Sequence, residues 1–386
     1  MNSRAHLANN LFTVLFSCLA LSLLLSARLP TVSAQASPLK SGAKTFIIAA
    51  RRSGDVEFMD PASLETVSRI HIDVNPKSVG LNGVFVSEDG SIIYLEGPNL
   101  GNAQMCCSLY SINLATLEMK LETFFPGSHP HEQFVFVDGV RYQPDHLAQD
   151  GIVNVGGNWQ FHRAPNSSAL IGLTSSPEIA IYDPSAGPII RKLEPPDLEG
   201  DWNASGTWSG DNFYLYANKF GQPDARVWTL SSSTTQFDDG VTVDPHGEVP
   251  GCRRETFEAV TSAGGNLFLY ESFGGKFDRR PGCDQKIPGG AWLLDPSTGR
   301  LLKHIAPDLY FTELIPDRTQ PILYGLSADG DNFYESVKLA RIDARDVRLL
   351  QTRTLDSDFW RIITAPVQTL PTADAHIALP QTPKQN

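Results

Sequence analysis

The densest group of chemically able side chains in this 386-residue chain is Ser128-His129-Pro130-His131-Glu132. Two histidines spaced two apart project to one side of an extended backbone, and Glu132 adds a carboxylate beside them. Imidazole with carboxylate suits a first-row divalent metal, and His129, His131 and Glu132 would reach a full ligand set with His146 or His162. The alternative is an ordinary surface loop, where a proline between histidines is equally at home. No second compact His or Cys pair follows at a ligand spacing. Beyond that ion the sequence points to no cofactor. It holds no Gly-x-Ser-x-Gly elbow, no Gly-x-x-x-x-Gly-Lys-Ser/Thr loop, no Cys-x-x-Cys-His haem site and no His-Glu-x-x-His.

A second candidate is the basic stretch Arg253-Arg254-Glu255, with Lys276, Arg279, Arg280 and Lys286 further along. Guanidinium forks there would receive a carboxylate or phosphate, and a solvated loop is the alternative. Cys252 and Cys283 lie in Gly/Pro-rich stretches at 250–254 and 280–284. In an oxidising compartment a disulfide between them would tie the two loops together. Cys106 and Cys107 are adjacent, and form either a vicinal disulfide or two thiols on opposite faces of a strand.

Positioning these groups falls to a repeated hairpin. In 290–305, apolar runs flank Asp295-Pro296-Ser297-Thr298-Gly299. The aspartate can cap its own turn, the proline presets φ, and the glycine is free to take positive φ. Versions recur at 58–67, 111–119, 181–188, 227–235 and 341–347, with anchors at 60, 113, 183, 230, 295 and 343. A second hairpin precedes each turn, as in 84–95, 207–216, 259–269 and 314–326. Four strands per unit at a spacing near ~45 residues is the signature of propeller blades, so the expected fold is all-β, a single propeller of four-stranded antiparallel blades. Residues 45–72 and 358–366 hold strands without partners, and pairing them would complete a last blade and remove both free edges. Channel-mouth candidates are then the residues just before each inner strand. These are Asn82, His131, Glu132, Asn158, His162, Asp201, Asn203, Arg254, Glu255, Glu313, Asp358 and Arg361. Polar groups also line a water-filled channel with no further role.

The hydrophobic-Asp-Pro-x-Thr/Ser-Gly-x-hydrophobic turn, repeated over most of 45–366, resembles the YVTN-type and quinoprotein amine dehydrogenase heavy-chain-like propellers. That resemblance implies seven blades, whereas the countable turns give six. A degenerate blade around 134–142, or an insertion in a six-bladed ring, would fill the long gap between anchors 113 and 183. It also implies an activity class no narrower than binding modules, lactonases and electron-transfer subunits, since these folds host all three. In the quinoproteins a vicinal disulfide sits beside the redox cofactor, which gives Cys106-Cys107 a second reading.

Residues 1–36 read as a signal peptide. Arg4 precedes the apolar run 11–25, and small residues end in Val32-Ser33-Ala34 or Ala34-Gln35-Ala36. The run is short for a membrane span, so no stable span is expected after cleavage, and the protein would be periplasmic or extracellular. Removing 1–36 takes Arg4 and Arg28 from the 31 basic residues and none from the 43 acidic ones, moving the net charge from −12 to −14. Such a surface disfavours nucleic acid as a partner. Residues 37–367 form the propeller, and 368–386, rich in proline, read as a disordered tail. With fold signals abundant and no catalytic set legible, the function expected is an exported binding or scaffold module for a protein or small ligand. The alternative is an enzyme or enzyme subunit, either a lactonase-like hydrolase at the channel mouth or an amine dehydrogenase heavy-chain-like oxidoreductase subunit.

Overall fold

The computed structural model describes residues 44–51, 53–73, 83–87, 89–97, 108–124, 135–137, 140–142, 160–163, 170–173, 179–182, 190–193, 202–219, 225–232, 236–243, 259–270, 289–317, 319–329, 336–355 and 359–378. Among them there are strands and turns but no helix, so no helix is long and apolar enough to cross a membrane. The described chain opens with β1 (Lys44–Arg51), β2 (Val56–Met59) and β3 (Thr66–Ile72). An antiparallel run follows, β4 (Gly83–Val86), β5 (Ile92–Gly97), β6 (Ser108–Asn113) and β7 (Met119–Phe124), and then the hairpin β8 (Val135–Val137) and β9 (Val140–Tyr142). Further runs are β10 (Gln160–Arg163), β11 (Leu170–Leu173), β12 (Ile179–Tyr182) and β13 (Ile190–Leu193), then β14 (Trp202–Ser209), β15 (Asn212–Lys219), β16 (Ala225–Ser231) and β17 (Val241–Thr242). The last two are β18 (Ala259–Ala263), β19 (Asn266–Tyr270), β20 (Ala291–Leu294) and β21 (Leu301–Ile305), and β22 (Phe311–Pro316), β23 (Ile322–Asp329), β24 (Ser336–Asp343) and β25 (Arg348–Leu355). The described chain closes with β26 (Phe359–Val367) and β27 (Ala375–Ile377).

The two ends meet: β26 pairs antiparallel with β1 from Lys44↔Val367 to Arg51↔Phe359, giving the sheet order β26-β1-β2-β3-β27. The strands are apolar on both faces because each sheet is covered on both. In β1, Phe46, Ile48 and Ala50 pack with Val84, Ile93 and Leu95 of the sheet that follows, while Ile47 and Ala49 pack with Tyr324, Leu326 and Leu339 of the sheet that precedes. In β15, Phe213, Leu215 and Ala217 meet Ile171 and Leu173, while Tyr216 on the opposite face joins Val260 and Leu269. Phe268 and Phe311 bring β19 and β22 into one cluster. Each such aliphatic or aromatic side chain removed from water contributes about 1.5–3 kcal/mol. First strands neighbour one another in turn, β10 with β14, β14 with β18, β18 with β22, β22 with β26 and β26 with β4. Four-stranded antiparallel sheets stacked face to face with their first strands inward make a β-propeller.

Where the long spacing pointed to a hidden blade around 134–142, the described residues hold the two-stranded hairpin β8–β9. It pairs parallel to β4 through Val86↔Val140 and to β10 through Phe161↔Val137, joining those two runs into one ten-stranded sheet.

The recurring turn is an Asx turn. Asp60 Oδ1 accepts the amides of Ala62 and Ser63 at 2.9 and 2.8 Å, and Asn113 does the same for Ala115 and Thr116 at 3.0 and 3.1 Å. Asp343 accepts from Arg345 and Asp346, and Asp295 from Ser297. These donors hold three carboxyls below the usual range, through the Ser63 amide for Asp60, the Ser297 hydroxyl for Asp295 and the Asp346 amide for Asp343.

The residue four past the anchor turns left-handed in every case, at φ 62° for Leu64, 58° for Leu117, 71° for Gly299 and 53° for Val347. Only one of the four is glycine. Leu64 and Val347 are buried in core clusters and Leu117 packs against another, so burial offsets the ~1–2 kcal/mol cost of that conformation. Gly299 has no such choice, since a Cβ there would lie 1.9 Å from the carbonyl oxygen of Thr242 on the neighbouring sheet.

Two expectations differ from the structure. Leu230 anchors no Asx turn. The link from β16 to β17 is longer and is capped by Asp238, whose Oδ1 accepts the Thr229 and Gly240 amides at 2.8 and 3.1 Å. Within the expected tail 368–386, Ala375–Ile377 forms β27 and pairs parallel with β3, because Ala375 and Ile377 bury against the first sheet. The Pro371 carbonyl also accepts a 2.8 Å bond from Ser68. Residues 1–36, expected to be a signal peptide, and residues 379–386 lie outside the described residues, as do Cys106, Cys107, Cys252 and Cys283.

Candidate functional site

Two groups of charged side chains involve the sheet β26-β1-β2-β3-β27, one at its β26 edge and one running from β1 across β2 and β3 to β27. The first joins inner strands. The register of β22 with β23 shifts between Phe311 and Glu313, a bulge of the kind that re-aims a side chain. Glu313 Oε2 accepts the Ile362 amide of β26 at 2.8 Å, and its Oε1 lies 3.6 Å from the Arg361 guanidinium. On the side away from β1, β26 pairs with no strand among the described residues, so its donor is met by the neighbouring inner strand. Ser205 of β14 serves β18 in the same way, accepting the Val260 amide at 2.8 Å.

The Glu313 side chain is 17% exposed and that of Arg361 48%. Burial pushes the Glu313 carboxyl above its ordinary 4.5, against the pull of Arg361 and the Ile362 amide. A carboxyl that holds its proton more tightly when folded makes stability fall as pH rises from the unfolded value through the folded one. Glu313→Gln keeps an acceptor for Ile362 and removes this proton. Wild type is therefore expected to lose stability relative to Glu313→Gln as pH climbs above about 4.5, with the difference flat below that. Urea unfolding of both proteins across the range checks it, and a difference that does not change with pH would refute it.

The second group runs from β1 across the sheet to β27. Glu57 on β2 is 2% exposed, and its Oε1 takes Arg51 and Arg69, each at 2.8 Å. Its Oε2 accepts the Thr66 hydroxyl at 2.7 Å. A buried carboxylate met on both oxygens in this way avoids the cost of an unpaired charge. Beside it, Asp55 pairs with Arg51 at 3.7 Å and its Oδ1 meets His71 Nδ1 in a short contact. The other ring nitrogen of His71 lies 3.7 Å from Asp73, and its ring stands edge-on to that of His376, with centroids 5.1 Å apart. Ligand atoms of His71, Asp73 and His376 all fall within 4.8 Å of one another.

Of the residues singled out by sequence, Glu313 and Arg361 are brought together. His162 lies on β10 with its ring 5.7 Å from that of Phe213. Asn203 lies on β14 opposite Asn218. His129, His131, Glu132, Asn158, Asp201, Arg254 and Glu255 fall outside the described residues, as do Cys106, Cys107, Cys252 and Cys283. Sequence reading missed the second group. His71-Ile72-Asp73 carries a weak signal, two ligand types on one face of a strand. Nothing in the sequence ties it to His376, about three hundred residues away.

No family model matches this sequence, and no curated protein does. Among solved structures, the chain is similar to apo AztD from Citrobacter koseri, at 12% identity over 82% of this chain and 83% of that one, with a TM-score of 0.43. It is also similar to the dihydro-heme d1 dehydrogenase NirN in complex with DHE, at 13% identity over 86% and 77% with a TM-score of 0.45, and to the Dos1 propeller, at 11% over 86% and 78% with a TM-score of 0.37. At such identities a likeness concerns the path of the chain and assigns no residue a role.

Proposed function

We propose that this propeller is an exported binding module that holds a small carboxylate-bearing ligand at the starts of its inner strands without transforming it. The observation that carries the reading is the Glu313–Arg361 pair bridging β22 and β26. Arg361 is half-exposed and has one ion-pair partner among the described residues, which leaves most of its five N–H donors for a ligand. Glu313, held by the Ile362 amide, fixes the guanidinium rather than competing for the ligand. The net negative charge does not oppose this, because fields of exposed charges beyond about 8 Å are largely screened at physiological salt. The apolar run 11–25 and the small residues ending at 34–36 support export, and a Cys252–Cys283 disulfide would form in that compartment. A protein partner carrying a carboxylate at the same place would use the same fork.

The test is native mass spectrometry of the mature protein purified from the envelope fraction of its host, beside Arg361→Ala prepared identically. A carboxylate compound or protein is expected to accompany wild type unchanged in mass, and to be reduced at least about tenfold in the variant, the scale of a charge-assisted hydrogen bond. Retention by Arg361→Ala, or turnover of the compound, would overturn the proposal.

A further inference from the structure

We infer that His71, Asp73 and His376 form a divalent-metal site that staples the C-terminal strand β27 to β3. Two imidazoles and a carboxylate are a ligand set for a first-row ion such as zinc, with a fourth position left for water. The backbone brings them together: β27 pairs parallel with β3 in the register His376↔His71, and directly paired residues on parallel strands share a face. Asp73 follows β3 immediately, and its amide donates to the Ile377 carbonyl at 3.3 Å.

The spacing is close to what an ion needs. Ligand atoms about 2.0–2.1 Å from a tetrahedral ion lie roughly 3.4 Å from each other. His71 Nε2 and Asp73 Oδ1 are 3.7 Å apart, and all three ligand atoms lie within 4.8 Å, so side-chain rotation of exposed groups closes the set.

Asp55 is the reason to favour an ion over a chance cluster. Its carboxylate meets His71 Nδ1, and as an acceptor it favours the tautomer protonated there, which leaves Nε2, 3.7 Å from Asp73, free to ligate. A carboxylate behind a histidine is the arrangement that orients metal-ligating imidazoles and raises their basicity. Asp55 is itself anchored, by Arg51 at 3.7 Å and by the bond from the Arg51 amide to the Asp55 carbonyl at 2.8 Å. The site lies three strands away from the Glu313–Arg361 pair on β26, so it stands or falls independently of the ligand proposed there.

The test uses the full mature chain, stripped with chelator and titrated with zinc by calorimetry. Cobalt serves as a second probe, because a low-coordinate His/carboxylate site gives it visible absorption bands. One ion per chain is expected to require these ligands. His71→Ala and His376→Ala should each weaken zinc binding at least about a hundredfold, and Asp55→Asn about ten- to a hundredfold with altered cobalt bands, the range for loss of an outer-shell partner. His129→Ala/His131→Ala should leave this ion in place. Zinc should also raise the melting temperature of wild type and slow proteolysis after residue 368, and do neither in His376→Ala. Melting of each variant in chelator separates lost binding from lost folding. Unchanged zinc affinity in a folded His71→Ala or His376→Ala, or an ion lost only from His129→Ala/His131→Ala, would overturn the assignment.

Discussion

A chain ending at residue 358 is expected to lose cooperative unfolding altogether, while one ending at 368 keeps it at a lower melting temperature. The shorter chain lacks β26, which pairs with β1 from Lys44↔Val367 to Arg51↔Phe359. It also lacks Ile362, Ala365 and Val367, which are buried in two different core clusters. Burial of Ile362 and Val367 alone contributes about 1.5–3 kcal/mol each, a large part of a typical total of 5–15 kcal/mol. Three further losses compound this. Glu313 keeps its buried carboxyl but loses both the Ile362 amide and Arg361. The Pro316 carbonyl loses the 2.8 Å bond from the Thr364 hydroxyl. The freed edge of β1 becomes a template for pairing between molecules. The longer chain keeps all of this and gives up β27, whose main apolar burial is Ala375 and Ile377. Circular dichroism melts with size-exclusion chromatography separate the outcomes. A sharp melt of a monomeric 1–358 chain would show that the first sheet is complete without its C-terminal strand.

What could be read from the sequence follows the range of the interactions. The Asx turns at Asp60, Asn113, Asp295 and Asp343 are legible because the side-chain oxygen and the amides it meets lie within three residues of each other. Leu64, Leu117 and Val347 break the expectation of glycine at positive φ because distant cores hold them, and no local pattern reports that. The meeting of β1 with β26 follows from counting strands, since each end of the chain carried strands without partners. β27 escapes the same count, being three residues long in a stretch whose prolines outweigh its strand formers. Glu313 and Arg361 were found by place rather than motif, as polar residues at neighbouring inner-strand starts. Asp55, His71 and His376 had no such guide, because their juxtaposition depends on a parallel pairing across the whole length of the chain.

Trp228→Ala is expected to destabilise the protein by about 3–5 kcal/mol, and Trp228→Phe by markedly less. The indole is fully buried on β16 among Ile171, Leu173, Phe213 and Leu215, where the sheet of β14–β17 packs on that of β10–β13. Trp202 meets it edge to face, with centroids 6.2 Å apart. Gly240 lies against its rim at φ 71°, and a Cβ there would come within 2.4 Å of the indole nitrogen. That backbone cannot follow the side chain inward, because Asp238 pins it through the Gly240 and Thr229 amides, so truncation to alanine leaves a cavity rather than a collapse. Phenylalanine fills most of the volume and sheds a liability. Among the described residues the Trp228 indole N–H has no acceptor, and a buried donor without a partner costs about 1–3 kcal/mol. Removing that donor offsets part of the packing lost with the smaller ring. Urea unfolding of the two variants beside wild type measures both differences. Equal losses for alanine and phenylalanine would show that the indole nitrogen finds a partner after all, and that the Phe variant forfeits it.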